Sequence, residues 1–261
     1  MTLSVVINSL RNTNPLVFCL TNNVVTNFTA NALLAAGASP AMTNLPGEAG
    51  PFAKVAAAML VNLGTPSTEQ FAAIDEAIAG AVSAQTPWVL DPVAVGALPV
   101  RTEYAQGIVA DRPTVIRGNA SEILALAGHP SSAEGIDAKD TVTAAIAAGR
   151  DLAERYGSIV AISGQADAII STEKTVLVHT NGIELTRITG GGCALGAFTA
   201  AALAASDNPF SAVLAAHAFY GRAAERAAAT SLGPGSFAVE FLDALALTDP
   251  SELDSVHLQE L

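Results

Sequence analysis

Residues 186–198 read TRITGGGCALGAF. Three glycines run into a cysteine, and the cysteine opens an apolar, alanine-rich segment with the composition of a buried helix. A glycine turn ahead of a helix leaves backbone N–H groups beside the positive end of the helix dipole. Anions bind at such a place, and so does charge developing on a transferring phosphoryl group. The plain alternative is a tight strand-to-helix turn that only packs closely. The spacing is not that of a phosphate-binding P-loop, because no Gly-Lys-Ser/Thr follows. It also falls late in the chain, whereas a dinucleotide fingerprint sits at the first strand–turn–helix unit. Cys193 falls on the first turn of the expected helix, where the dipole should favour the thiolate and lower its pKa. A small buried hydrophobe is the competing reading. The four histidines, His129, His179, His217 and His257, form no recognisable partner motif for a covalent thiol.

Working outward from this turn, short apolar runs alternate with helical stretches. The runs 15–20, 58–63, 87–92, 114–119 and 158–164 read as strands. Helical spacing covers 24–37, 67–82, 121–128 and 140–157. Gly37 is a plausible helix C-cap, and Ser67 with Gln70 fits a capping box. Between 168 and 188 the pattern becomes alternating, as AIIS, KTVLVHT and IELTRI separated by TEK and NG, which predicts antiparallel hairpins. Helices are expected over 193–206, 209–230 and 235–247. The alternation predicts an α/β fold with a mostly parallel central sheet, helices on both faces and late antiparallel hairpins. No linker, repeat or low-complexity tract interrupts it, so one domain over 1–261 is expected.

In such sheets ligands lie outside the carboxyl ends of the strands. Polar residues recur at those ends: Asn22, Asn62, Asp91, Arg117, Asn119 and Ser163. Asp91 and Glu122 are carboxylates that suit magnesium, an ion that takes oxygen ligands and keeps several waters. Arg117 suits phosphate oxygens. Each signal is weak alone.

The bulk properties narrow the function classes. The 261 residues carry a net charge of -12, which phosphate backbones repel. No apolar run reaches the roughly 18 residues of a membrane span. The N-terminal residues lack the basic and apolar regions of a signal peptide, and two cysteines make no disulfide framework, so a reduced cytoplasmic protein is expected. Apolar residues reach 51% and charged residues only 14%. Ordinary domains hold roughly 25% charged residues. Such an excess is expected to be covered in a homo-oligomer.

Six segments taken together resemble the hydroxyethylthiazole kinase family: CLTNNVVTNFTANALLAAGASPAM (19–42), LDPVAVGA (90–97), RGNASEI (117–123), ISGQAD (162–167), TGGGCALG (189–196) and GPGSFAVEFLDAL (233–245). They occur in the family's order over most of the chain. The resemblance implies a ribokinase-like fold, a homotrimer with active sites at subunit interfaces, and phosphorylation of a thiazole alcohol by ATP with Mg2+. It implies that Met42, Gly190 and Asn22 contact the thiazole substrate, that Arg117 and Ser163 bind ATP, and that Asp91 and Glu122 lie around the metal. It places Cys193 where sugar kinases of the superfamily carry an aspartate base, with Gly191 and Gly192 beside the moving phosphoryl group. Four positions depart from the family pattern. Phe18 replaces a frequent histidine, Ala94 a usual glycine and Gln165 a common glutamate, while Gly191 stands where relatives often carry Thr, Ala or Ser. Three rival readings remain from the residues: another ribokinase-like kinase, a nicotinamide-dependent oxidoreductase, and a non-enzymatic small-ligand binder.

Overall fold

The structure, a computed structural model, describes residues 2–129, 138–180 and 183–261. Among them, nine strands form one sheet: β1 (Leu16–Leu20), β2 (Ser39–Ala41), β3 (Ala58–Asn62), β4 (Trp88–Asp91), β5 (Val115–Asn119), β6 (Ile159–Ser163), β7 (Asp167–Ile170), β8 (Thr175–His179) and β9 (His257–Glu260). Their order is β2-β1-β3-β4-β5-β6-β7-β8-β9. The pairs from β2 through β6 are parallel, and those from β6 through β9 are antiparallel. β3 and β4 are buried along their whole length. Near-continuous apolar runs are what a parallel strand covered on both faces requires.

Ten α-helices cover the two faces among the described residues. On one side lie α1 (Leu3–Thr13), α2 (Thr26–Ala36), α8 (Gly191–Leu203), α9 (Pro209–Thr230) and α10 (Pro234–Leu247), packed with Val17, Cys19, Leu60 and Val89 of the strands. On the other lie α3 (Ala49–Ala53), α4 (Thr68–Ala84), α5 (Pro99–Ile108), α6 (Ala120–Leu126) and α7 (Ala138–Tyr156), packed with Phe18, Leu20, Met59, Val61 and Leu90. Consecutive strand residues face opposite clusters, as the two-residue period of a strand demands. α8 is buried at eleven of its thirteen positions. A helix apolar all round belongs inside, so α8 is the central helix of its layer, and the glycine turn at its start is held against the sheet.

The expected strand–helix alternation is present, with three differences. The run IELTRI does not form a third hairpin strand: a 3-10 turn spans Ile183–Arg187. The edge of β8 that such a strand would take is occupied by β9, which pairs Val178 with Leu258 and His179 with His257. The NG of the expected hairpin, residues 181–182, lies outside the described residues. Second, the capping box at α4 is only half made. Ser67 Oγ accepts from Gln70 N at 3.1 Å, but the Gln70 side chain donates to Thr21 O at 2.9 Å and ties α4 to the end of β1. The reciprocal box forms instead at α6, between Asn119 and Glu122. Third, His217, one of the histidines for which the sequence shows no partner motif, has a part-buried acidic partner. It is 1% exposed on α9, and its Nδ1 lies 2.6 Å from Asp167 Oδ2. Gly37 caps α2 as expected, with φ +96 in the left-handed region.

Candidate active site

The chain runs from β1 to β2 on one side and to β3 on the other, so the sheet has its switch point between β1 and β3. That is where the open crevice of a doubly wound sheet forms. Asn22 follows β1, and Asn62 ends β3. From there a buried polar chain crosses the strand ends. Cys193 Sγ accepts from Asn22 Nδ2 at 3.5 Å, and Asn22 Nδ2 donates to Asn62 Oδ1 at 2.9 Å. Asn62 Nδ2 donates to Asp91 Oδ2 at 2.7 Å. Asp91 Oδ2 lies 3.6 Å from Arg117 Nη1, and Arg117 Nη2 donates to Ser163 Oγ at 2.9 Å. Cys193, Asn22, Asp91, Arg117 and Ser163 are therefore brought together from five separate segments. Asn62 joins them as the link that its position at a strand end alone did not reveal.

Two glycines of α8 lie against the Asp91–Arg117 pair. A Cβ on Gly192 would sit 3.5 Å from the Arg117 guanidinium, and one on Gly196 would sit 3.3 Å from Asp91 Oδ2. The N-terminus of α8 thus rests directly on the Asp91–Arg117 pair. Its cap, Gly190, has φ +95 and offers no side-chain acceptor. The first N–H groups of a helix have no partner within it; Gly191 N donates to Ile188 O at a long 3.5 Å, and the N–H groups that follow it are the ones left for an anion. Tyr220, fully buried, donates from its hydroxyl to Gly191 O at 2.8 Å and braces the turn from behind. On the other side of the turn, a Cβ on Gly190 would come within 3.0 Å of Phe28 and 3.3 Å of Val25. Met42, just past β2, packs at the margin of the same core as Phe28, Leu185 and Ile188. This is an apolar wall beside the polar chain.

Burial pushes the Asp91 carboxyl up to about 7, against the opposing pull of Arg117, with Glu122 adding to the rise. Its Oδ1 has no hydrogen-bond partner among the described residues, and neither does Arg117 Nε. Arg117 loses solvation by burial, yet Asp91, then Asp167, Glu122 and Cys193, hold its charge above the ordinary strength. Cys193 corrects the sequence expectation. Burial first, and the Asp91 charge second, raise the thiol above its usual value. Asn62, Arg117 and Asn22 pull it back only in part. Cys193 rests as a thiol at neutral pH. Glu122 is used locally: Oε2 accepts from Asn119 N at 2.8 Å and Oε1 from Ala94 N at 3.0 Å.

The chain matches the model of the hydroxyethylthiazole kinase family over residues 7–250. The chain belongs to this family. A hydroxyethylthiazole kinase of Clavibacter sepedonicus is 54% identical over 241 residues, 92% of this chain and 88% of that one. The solved structure of hydroxyethylthiazole kinase protein from Pyrococcus horikoshii OT3 matches with a TM-score of 0.91 at 32% identity, over 99% of this chain and 98% of that one. A ribokinase-like superfamily protein of Enterococcus faecalis V583, at 12% identity and a TM-score of 0.68 over 94% of each chain, shares the fold. The protein is an enzyme, a hydroxyethylthiazole kinase with the ribokinase-like fold expected of it.

In this hydroxyethylthiazole kinase the sequence departures have local causes or costs. Gly191 is required because a Cβ there would lie 2.4 Å from Leu185 O. Phe18 is fully buried and meets Phe52 edge-on, with centroids 5.0 Å apart. Ala94 keeps φ +62, the conformation a glycine would take there. An alanine in that region carries a strain of about 1 kcal/mol, and the Ala94 N–H bond to Glu122 holds it in place.

Proposed function

We propose that this kinase transfers the γ-phosphoryl group of ATP to the primary hydroxyl of 4-methyl-5-(2-hydroxyethyl)thiazole, in a cytoplasmic step of thiamine biosynthesis or salvage. The observation that carries the reading is the open N-terminus of α8 set against the buried Asp91–Arg117 pair. Phosphoryl transfer asks mostly for positioning and for stabilisation of spread charge. The helix start supplies that stabilisation with Arg117, through the Gly192 N–H and the Gly191 N–H, the latter held only by a long 3.5 Å bond to Ile188 O. Among the described residues Arg117 Nε has no partner, and Ser163 Oγ accepts from Arg117 Nη2. The thiazole, flat and largely apolar, suits the wall of Gly190, Val25, Phe28 and Met42, with Asn22 as its polar contact.

The donor set fits magnesium. Asp91 Oδ1 is buried without a partner among the described residues, and a divalent ion takes one or two carboxylates plus phosphate and water oxygens. Glu122 spends both oxygens on backbone N–H groups, so it acts through water. Magnesium held there would supply positive charge against the phosphates of ATP. The substrate oxygen forms the new bond to phosphorus, the bond to the bridging oxygen of ADP breaks, and the hydroxyl proton passes to Cys193 Sγ in the fraction of molecules that hold it as the thiolate. Asn22 and Arg117 lower the cost of charge on that sulfur.

Product identity tests the reading. Phosphorus NMR should show one new phosphomonoester when the alcohol is supplied, and none with 4,5-dimethylthiazole, which has no hydroxyl. A product from the hydroxyl-free thiazole would overturn it. The resting assembly is proposed as a homotrimer with the site walled by a neighbouring copy. Val24 at the crevice is 66% exposed, and Leu34, Val239 and Leu247 stand out from α2 and α10 on the same layer. Light scattering should give about three times the 26.4 kDa chain mass, and a monomer would contradict it.

A further inference from the structure

We propose that Asn62 is a positioning residue that fixes which end of the Asn22 amide faces Cys193, with Gly64 as the backbone unit that locks it. Donor and acceptor types alone fix this polarity. The Gly64 backbone N–H is a donor and nothing else. It points at one end of the Asn62 amide at 3.0 Å, so that end is the oxygen. The other end is then the NH2, which donates to Asp91 Oδ2 at 2.7 Å. Asn62 Oδ1 also faces the Asn22 amide at 2.9 Å, so Asn22 presents its nitrogen. That nitrogen carries two hydrogens. One goes to Asn62 and the second reaches Cys193 Sγ at 3.5 Å. A flipped Asn22 would set oxygen against the Asn62 oxygen and against the lone pairs of the sulfur.

The lock is dry and tight. Asn22 is 4% exposed and Asn62 1%. Water therefore has little access to replace either bond. A Cβ on Gly64 would lie 2.5 Å from Asn22 Nδ2 and 2.7 Å from its Cβ and Cγ. Only a glycine lets the two segments close. Gly64 is further held by Arg101, whose Nη1 donates to Gly64 O at 2.7 Å. The sense of the chain is thus set by a main-chain N–H and does not depend on the charge of Asp91. Its consequence is a fixed donor aimed at the thiol, which favours Cys193 as an acceptor. The catalytic meaning rests on the reading of Cys193 as the substrate's proton acceptor; the polarity itself does not.

The test is the pH–rate profile of Cys193 alkylation by iodoacetamide, read on the peptide containing Cys193, with thermal melting as the folding control. Cys19 is buried and stays silent. One hydrogen bond to an ionised group corresponds to roughly a tenfold change, or about one pH unit in the profile midpoint. Gly64→Ala displaces Asn22 while leaving the Asn62–Asp91 bond in place. It should raise the midpoint by about one unit, and so should Asn22→Ala. The double variant should rise no further, because both changes break one bond. Asn62→Ala should also raise the midpoint, in part by loss of its own pull on the sulfur; if Gly64→Ala does not fold, the Asn22→Ala/Asn62→Ala double variant stands in, with a midpoint no higher than that of Asn62→Ala alone. Unmoved midpoints in Gly64→Ala or Asn62→Ala, or full additivity in the double variant, would overturn the proposal. The base reading fails separately, if Cys193→Ala keeps full kcat while these midpoints still shift.

Discussion

Cys193→Ala lowers kcat by about 10²- to 10⁴-fold, the usual worth of a positioned proton acceptor, and leaves the melting temperature little changed. The side chain is half-buried at the start of α8, and its removal opens only a small gap. The pH dependence carries the sharper signature. Burial and Asp91 hold the thiol above its ordinary value, so the thiolate fraction is small at neutral pH and grows as pH rises. Wild-type kcat should therefore climb with pH from about 6 to 9. The variant should lose that slope. Steady-state kinetics of both proteins at saturating ATP, thiazole and magnesium checks this. A variant with unchanged kcat and an unchanged profile would remove Cys193 from the chemistry.

Asp91→Asn raises the magnesium concentration for half-maximal activity by about 10- to 100-fold. The change keeps size and leaves a group able to accept from Asn62, so folding is expected to survive it. The sign of the pH effect follows from the raised carboxyl. Burial moves Asp91 up to about 7, and a cation replaces a proton only on the ionised form. Apparent magnesium affinity in the wild type should fall as pH drops through about 7, and excess magnesium should restore activity there. In the asparagine variant this pH dependence disappears. A magnesium titration at several pH values is the measurement, and superimposable wild-type and variant curves would contradict the assignment. The two effects separate cleanly, because saturating magnesium cancels the Asp91 limb and leaves the Cys193 limb.

The parallel core was legible because its strands are apolar throughout and its helices carry caps. Met59–Val61 and Val89–Leu90 could belong to little else once Ser67 and Gly37 marked the helix ends. The amphipathic α1 had a readable signal in Val6, Ile7 and Leu10, which are fully buried, but it lay in a stretch read only for targeting features. β9 had none: its four residues are exposed and polar or charged save Leu258, and pairing with β8 alone defines it. The run at 183–188 misled because alternation says nothing about whether a sheet edge is already taken. Within the site, residue types at strand ends pointed to Asp91, Arg117 and Ser163. Asn62 stood among the strand-end polar residues, but its role was hidden because it depends on Asn22 and Asp91, both distant in sequence, as well as on nearby Gly64. The Cys193 thiol was misjudged for a related reason. A helix start is visible in sequence, while the burial of the thiol that outweighs it, and after that the charge of Asp91, are matters of packing.

The central claim is that this strand-end site moves a phosphoryl group from ATP to the thiazole alcohol. Initial-rate ADP release, with and without 4-methyl-5-(2-hydroxyethyl)thiazole at fixed ATP and magnesium, tests it most directly. The account predicts ADP release that depends on the thiazole, saturates with it, and stops when magnesium is chelated. ADP release at the same rate without the thiazole, or none with it, would contradict the account.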